Sequence, residues 1–209
     1  MKILTISDTV ERKLYSAACK ETFKEIEMIL ACGDLPFYYL EFLVSTLNVP
    51  LYYVFGNHHV RAMLTTGGEE VRDPPGCVNL DSRLAEFKGL LMMGFEGCML
   101  YNYGPKQYTD PQMRWKMFKM KPQLWKNKLL KQRYLDIVIT HAPPLGIHDE
   151  ADLCHQGFKS FRAFIETYQP RYFIHGHTHR YGLVDEVWKT EYRATTVINT
   201  SGYRILEIE

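Results

Sequence analysis

The chain has 209 residues, long enough for one domain of generous size and too short for two large ones. With 46% hydrophobic and 23% charged residues its composition is globular, which excludes intrinsic disorder and fibrous repeats. Lys plus Arg number 25 against 24 Asp plus Glu, so a net charge of +1 gives the whole molecule no bulk attraction for nucleic acid or membranes.

Lys2-Ile-Leu-Thr-Ile follows Met1 directly and reads as a first strand, since it has neither a cleavage site nor the length of a spanning helix. No membrane association and a cytoplasmic location are therefore expected. The five cysteines, Cys19, Cys32, Cys77, Cys98 and Cys154, are scattered and never form a C-x-x-C pair. That pattern fits reduced, buried thiols and neither a disulfide framework nor a zinc knuckle.

One pattern recurs five times: a β-branched or aromatic apolar run that stops abruptly at polar residues. The instances are Ile3 to Asp8, Met28 to Asp34, Leu51 to His58, Ile137 to His141 and Tyr172 to His179. Continuous apolar runs of this length suit strands covered on both faces. Between them, Val10 to Lys24, Pro36 to Leu47 and Ser160 to Tyr168 have helical length and spacing, the last stopped by Pro170. Shorter strands are expected at Cys77 to Leu80, Leu84 to Phe87 and Leu90 to Gly94, with Lys88-Gly89 as a turn. Leu183 to Val187, Ala194 to Asn199 and Tyr203 to Ile208 read as a closing β-meander. The expected fold is a layered α/β/β/α sandwich of mixed β-sheets flanked by helices, a single domain over residues 1–209.

One segment departs from this plan, a basic helical insertion at about 104–133. From Lys106 to Arg133 nine basic residues face one acidic residue, a local excess of eight. Trp115, Phe118 and Trp125 alternate with Met113, Met117, Met120 and Leu124, which predicts two amphipathic helices broken at Pro122. Their basic faces are either solvated or a phosphate-attracting lid.

Ligands in α/β sheets gather beyond the carboxyl ends of strands, and here those ends deliver Asp8, Asp34, Asn57, His58, His141, His177 and His179. Carboxylates, an amide oxygen and imidazoles form a donor set suited to Mn, Fe, Zn or similar divalent ions. His177 and His179 are alternate residues of an extended stretch and project to the same side. Singly, Asp8 and Asp34 are also good helix caps, and His58 and His141 ordinary hydrogen-bonded histidines. Five strand ends together point to a metal site.

In this order the motifs Asp8-Thr-Val10, Gly33-Asp34, Gly56-Asn-His58-His59, His141 and Gly176-His-Thr-His179 resemble those of the calcineurin-like metallophosphoesterases, over Met1 to about Leu100 and again from about Ile137. The resemblance implies one metal held by Asp8, Asp34 and His179, and another by Asp34, Asn57, His141 and His177. His58 would be the catalytic residue beside the cluster. A metal-activated hydroxide would then hydrolyse phosphate esters; the basic aromatic insertion, which would pair phosphates with Lys/Arg and stack bases on Trp115 or Trp125, favours diesters over monoesters, with nucleotides or nucleic acids among the candidate substrates. Val10 stands where the first motif carries a ligand His, and His59 where an acidic partner of His58 is usual. These departures motivate an alternative, an inactive scaffold that binds a protein or nucleic acid partner. His59 and His155 are candidate substrate contacts. His175 is expected to be packed or hydrogen-bonded, and His148 to lie on a surface loop.

Overall fold

The computed structural model describes residues 1–58, 63–64, 68, 70–179 and 188–208. Strands β1 (Lys2–Ser7), β2 (Ile26–Ala31) and β3 (Leu51–Tyr53) alternate with helices α1 (Cys19–Thr22) and α2 (Phe37–Leu47). There follow β4 (Met63–Leu64), β5 (Glu70–Val71), β6 (Cys77–Asn79), β7 (Leu84–Phe87), β8 (Leu90–Phe95), β9 (Cys98–Met99) and β10 (Gln107–Tyr108). Helices α3 (Asp110–Lys119) and α4 (Lys121–Lys131) lead to β11 (Ile137–Thr140), α5 (Lys159–Tyr168), β12 (Tyr172–His175), β13 (Lys189–Tyr192), β14 (Thr195–Asn199) and β15 (Gly202–Glu207).

Two mixed sheets carry the fold. The first has the order β15-β1-β2-β3-β6, parallel except for β15, and the second β13-β14-β12-β11-β8-β7, parallel at its four inner strands. Period-two alternation assigns each strand's residues to two layers. Ile3, Met28, Leu30 and Val54 of the first sheet share one buried cluster with Met92, Ile137, Ile139 and Ile174 of the second. Leu4, Ile6, Ile29 and Tyr53 face the other way, onto Phe37, Leu40 and Leu43 of α2. Met93, Phe95, Val138 and Phe173 likewise cover Met113, Met117, Leu124, Phe161 and Phe164 of α3, α4 and α5. The result is the α/β/β/α sandwich expected from the sequence.

Local chemistry explains the boundaries. Thr109 and Gln112 form a reciprocal capping box at the start of α3, and α4 begins with Pro122 in its first turn, where a missing N–H costs nothing. Asn48 and Gln169 adopt the left-handed conformation that ends α2 and α5. Lys88 and Gly89, with φ of 47° and 85°, make the tight turn between β7 and β8.

Two expectations fail. Val10 to Lys24 is a string of turns with only Cys19–Thr22 helical, because Leu14, Cys19 and Phe23, the residues buried there, are spaced by five and four and not by a helical repeat. The C-terminus is no meander: β14 lies parallel to β12, and β15 crosses to pair antiparallel with β1 in the other sheet. The expected strand at Leu183 to Val187 lies outside the described residues.

Candidate metal centre

The carboxyl ends of β1, β2, β3, β11 and β12, drawn from both sheets, converge on one spot. The β1 end carries Asp8 in a left-handed conformation (φ 65°), its N–H donating to the Gly33 carbonyl at 3.2 Å. The β2 end carries Asp34, also left-handed (φ 54°), directly after Gly33. A side chain at Gly33 would put its Cβ 2.5 Å from His141 Nδ1, and one at Gly56 would overlap the Asp34 carboxylate, so both glycines clear space for ligand residues.

His141 is fully buried and is fixed at both ring nitrogens. Nδ1 lies 2.8 Å from the Cys32 carbonyl, and Nε2 lies 3.0 Å from Asn57 Oδ1 and 3.2 Å from Asp34 Oδ2. A backbone carbonyl on Nδ1 holds the proton there and aims the Nε2 lone pair at Asp34 and Asn57, the outer-sphere arrangement of metal-binding histidines. His177 has the opposite polarity. Its Nε2 lies 2.7 Å from the Cys154 carbonyl, which leaves Nδ1 to ligate, while its backbone N–H donates to Asp8 Oδ2 at 3.0 Å. The two rings lie 4.6 Å apart between centroids.

Among the described residues, Asp34, His141 and His177 can each offer a ligand atom within 4.8 Å of the others. One carboxylate and two imidazoles, with the Asn57 amide oxygen beside them, suit a divalent transition ion and form no all-thiolate structural site. The electrostatics agree with a site built for positive charge. Burial alone would push the Asp34 carboxyl up, but His141 and the His58 N–H hold it well below the usual carboxylate range. Burial opposes a charged imidazole at His141, yet Asp34 and Asp8 raise it to about 9. Burial, and then the neighbouring His141, lower His177 to about 3. In the ion-free protein one histidine is thus protonated where a cation would sit.

The remaining predicted residues are placed as follows. His58 is exposed at the mouth and donates its backbone N–H to Asp34 Oδ1 at 2.9 Å. His179 is exposed and near enough to Asp8 to favour its carboxylate, against burial, which raises it. His155 is held by Asp152 through Nδ1 at 3.0 Å and lays its ring 5.1 Å from that of His177, so it belongs to the rim. His59 lies outside the described residues. Val10 packs its aliphatic side chain against the core around α2. His175 is hydrogen-bonded as expected, but His148 is not on the surface: it is buried, with Nδ1 3.0 Å from His175 Nε2 and Nε2 2.7 Å from Thr190 Oγ1.

The sequence reading missed the backbone carbonyls of Cys32 and Cys154, which orient the two histidines, and Tyr101, whose hydroxyl accepts from Asn57 Nδ2 at 3.1 Å. A carbonyl leaves no trace in residue type. Tyr101 follows β9, a strand end whose signal went unread because its apolar run is short. The α3/α4 segment spends its apolar residues on the core and much of its charge on internal pairs. Lys116 Nζ lies 2.8 Å from Asp81, Lys106 Nζ 2.9 Å from Glu96 and Arg133 2.9 Å from Asp136, and Lys131 pairs with Glu86. Arg114, Lys119, Lys121, Lys126 and Lys128 stay exposed.

The family model for calcineurin-like phosphoesterases matches residues 1–181. Among solved structures, one crystal structure aligns at 16% identity and TM-score 0.64, covering 98% of this chain and 94% of its own. TT1561 of Thermus thermophilus aligns at 15% and 0.61, covering 96% and 89%. GAP50 of Plasmodium, described as the anchor in the inner membrane complex, aligns at 12% and 0.56, covering 96% and 71%. At these identities the likeness is one of fold. A search of curated proteins gives no match.

Proposed function

Because the chain belongs to the calcineurin-like phosphoesterase family, whose members bind divalent metals, we propose that it hydrolyses phosphate esters at the site formed by Asp8, Asp34, Asn57, His141, His177 and His179. The convergence of Asp34, His141 and His177 ligand atoms within 4.8 Å carries this reading. One or two divalent ions such as Mn, when bound, supply Lewis acidity that neutralises phosphate charge and acidifies water. The chain's own residues do the rest. Asp34, which neighbours both Asp8 and His141, would be the carboxylate shared if two ions were held. The Cys32 and Cys154 carbonyls fix which ring nitrogen of each histidine faces the site, so an arriving ion would have to displace only the proton that His141 shares with Asp34. To His58, exposed beside Asp34, we assign the donation of a proton to the departing oxygen or the stabilisation of its developing charge.

We read the preferred substrates as diesters. The cavity bordering Asp34 and His58 contains no Lys or Arg among its described lining residues, which suits an uncharged ester substituent better than a free phosphate oxygen. The pairing of Lys106, Lys116, Lys131 and Arg133 leaves a nucleic acid substrate less support. Five free cysteines, three of them buried, support a reducing, cytoplasmic setting, and no described helix is long and apolar enough to cross a membrane.

A second reading is favoured by Val10, whose packing into the core removes a ligand from the first position: the fold serves as a binding scaffold. Hydrolysis of bis-(p-nitrophenyl) phosphate by wild type and Val10→His, each stripped with EDTA and reconstituted with Mn, separates the two. The hydrolase reading expects turnover lost on stripping and restored by Mn in wild type. Turnover unaffected by stripping, or silence in wild type with activity only in Val10→His, contradicts it, and the second result supports a scaffold.

A further inference from the structure

A cavity of about 470 Å³ opens directly beside the candidate metal centre, with Asp34 and His58 at its border. The first turn of α2 and the end of β3 build its walls: Leu35, Phe37, Tyr38, Leu40 and Phe55. Among its described lining residues there is no Lys, Arg, Ser, Thr, Asn or Gln. The hydroxyl of Tyr53, which also borders it, is already committed to Asp73. A volume in this range holds a ring system of one or two fused rings, and walls of this kind reward apolar area while offering the hydroxyls of a sugar or the edges of a nucleobase only the Tyr38 hydroxyl at the rim and the Asp34 and His58 of the border. Phe37 and Phe55 lie 6.2 Å apart between ring centroids, tilted by 30°, and together give the wall an aromatic surface.

We propose that this cavity is the specificity pocket for the alcohol-derived part of the substrate, and that the substrates are phosphate esters of apolar aryl or bulky alkyl alcohols. The proposal rests on the hydrolase reading for where the phosphate lies, but the affinity of the pocket for an apolar ring is independent of catalysis. With the ring seated, the ester oxygen sits at the cavity mouth beside His58. Hydrolysis breaks the bond between phosphorus and that oxygen; water supplies hydroxyl to phosphorus and a proton to the leaving oxygen.

The test uses 2-naphthol binding to the metal-free protein, measured by calorimetry, together with inhibition of the Mn-loaded protein by phenylphosphonate and methylphosphonate. Leu35→Trp fills the cavity, and Tyr38→Ala, at an exposed rim position, trims it without touching the core. Wild type is expected to bind 2-naphthol and to prefer phenylphosphonate by about tenfold or more. Leu35→Trp should lose at least tenfold of naphthol affinity and Tyr38→Ala about threefold, while the variants keep their affinity for methylphosphonate. Equal inhibition by the two phosphonates, or naphthol binding unchanged in both variants, overturns the proposal. Pocket-dependent naphthol binding in a protein that hydrolyses no ester supports the pocket while defeating the hydrolase reading, so the two failures are distinguishable.

Discussion

At the scale of single residues, the candidate centre is set by what surrounds each proposed ligand more than by the residue itself. His141 and His177 lie with ring centroids 4.6 Å apart and carry opposite shifts, to about 9 and about 3, because at His141 the facing Asp34 outweighs burial, whereas at His177 burial and then the neighbouring His141 both disfavour the charged ring. The consequence for stability follows from proton counting. Between about pH 3 and 6.5 the unfolded chain protonates both imidazoles and the folded one only His141, so stability rises with pH. Between 6.5 and about 9 the unfolded chain holds neither proton while the folded one still holds that of His141, so stability falls. The metal-free wild type, measured against His141→Asn by urea denaturation, should show a contribution that fades from pH 6.5 to 9. A flat difference would contradict the placement of Asp34 against His141. Metal must displace the same proton, so calorimetry in buffers of different ionisation enthalpy should report proton release on Mn binding below pH 9. Gly56 tests the geometry from another side. A methyl there overlaps the Asp34 carboxylate, and Gly56→Ala should weaken Mn binding by on the order of 10- to 100-fold in a metal titration, with the fold intact by circular dichroism.

At the scale of elements, the strand ends were legible because both their cause and their chemistry are local. An apolar run ending in Gly-Asp or Gly-His announces a buried strand and a ligand in the same few residues. The pair α3 and α4 was legible too, through Pro122 and the spacing of Met113, Met117 and Leu124. The role of its charge was not. Lys116, with a side chain only 15% exposed, inserts between Asp81 and Glu96 and lies 4.3 Å from the Tyr108 ring centre, and nothing in a run of lysines marks the one that turns inward. Removing one partner of such a pair strands the other charges in a poorly solvated place. Lys116→Met should therefore cost about 2 kcal/mol in chemical denaturation, whereas Lys126→Met, at an exposed position, should stay within about 0.5 kcal/mol. Equal effects would show that the segment's charge is uniformly solvated. The turns over 10–24 and the crossing of β15 to the first sheet escaped prediction for a related reason: both are decided by distant packing, on the core around α2 and on β1 respectively.

At the scale of the whole molecule, two sheets of different connectivity meet at one point because their parallel strands end on the same side. Asp8, Asp34 and Asn57 come from the first sheet, His141 and His177 from the second, so the centre is closed only when the two sheets are packed together. Metal binding and sheet packing are then one equilibrium, and Mn should raise the thermal midpoint with its concentration. The most direct measurement is metal content and turnover of an aryl phosphodiester for wild type beside Asp34→Ala, both reconstituted with Mn and desalted. The account predicts bound Mn and turnover in wild type and the loss of both in the variant, with its fold retained by circular dichroism. Wild-type turnover without bound metal, or an Asp34→Ala protein that turns over as fast as wild type, would contradict it.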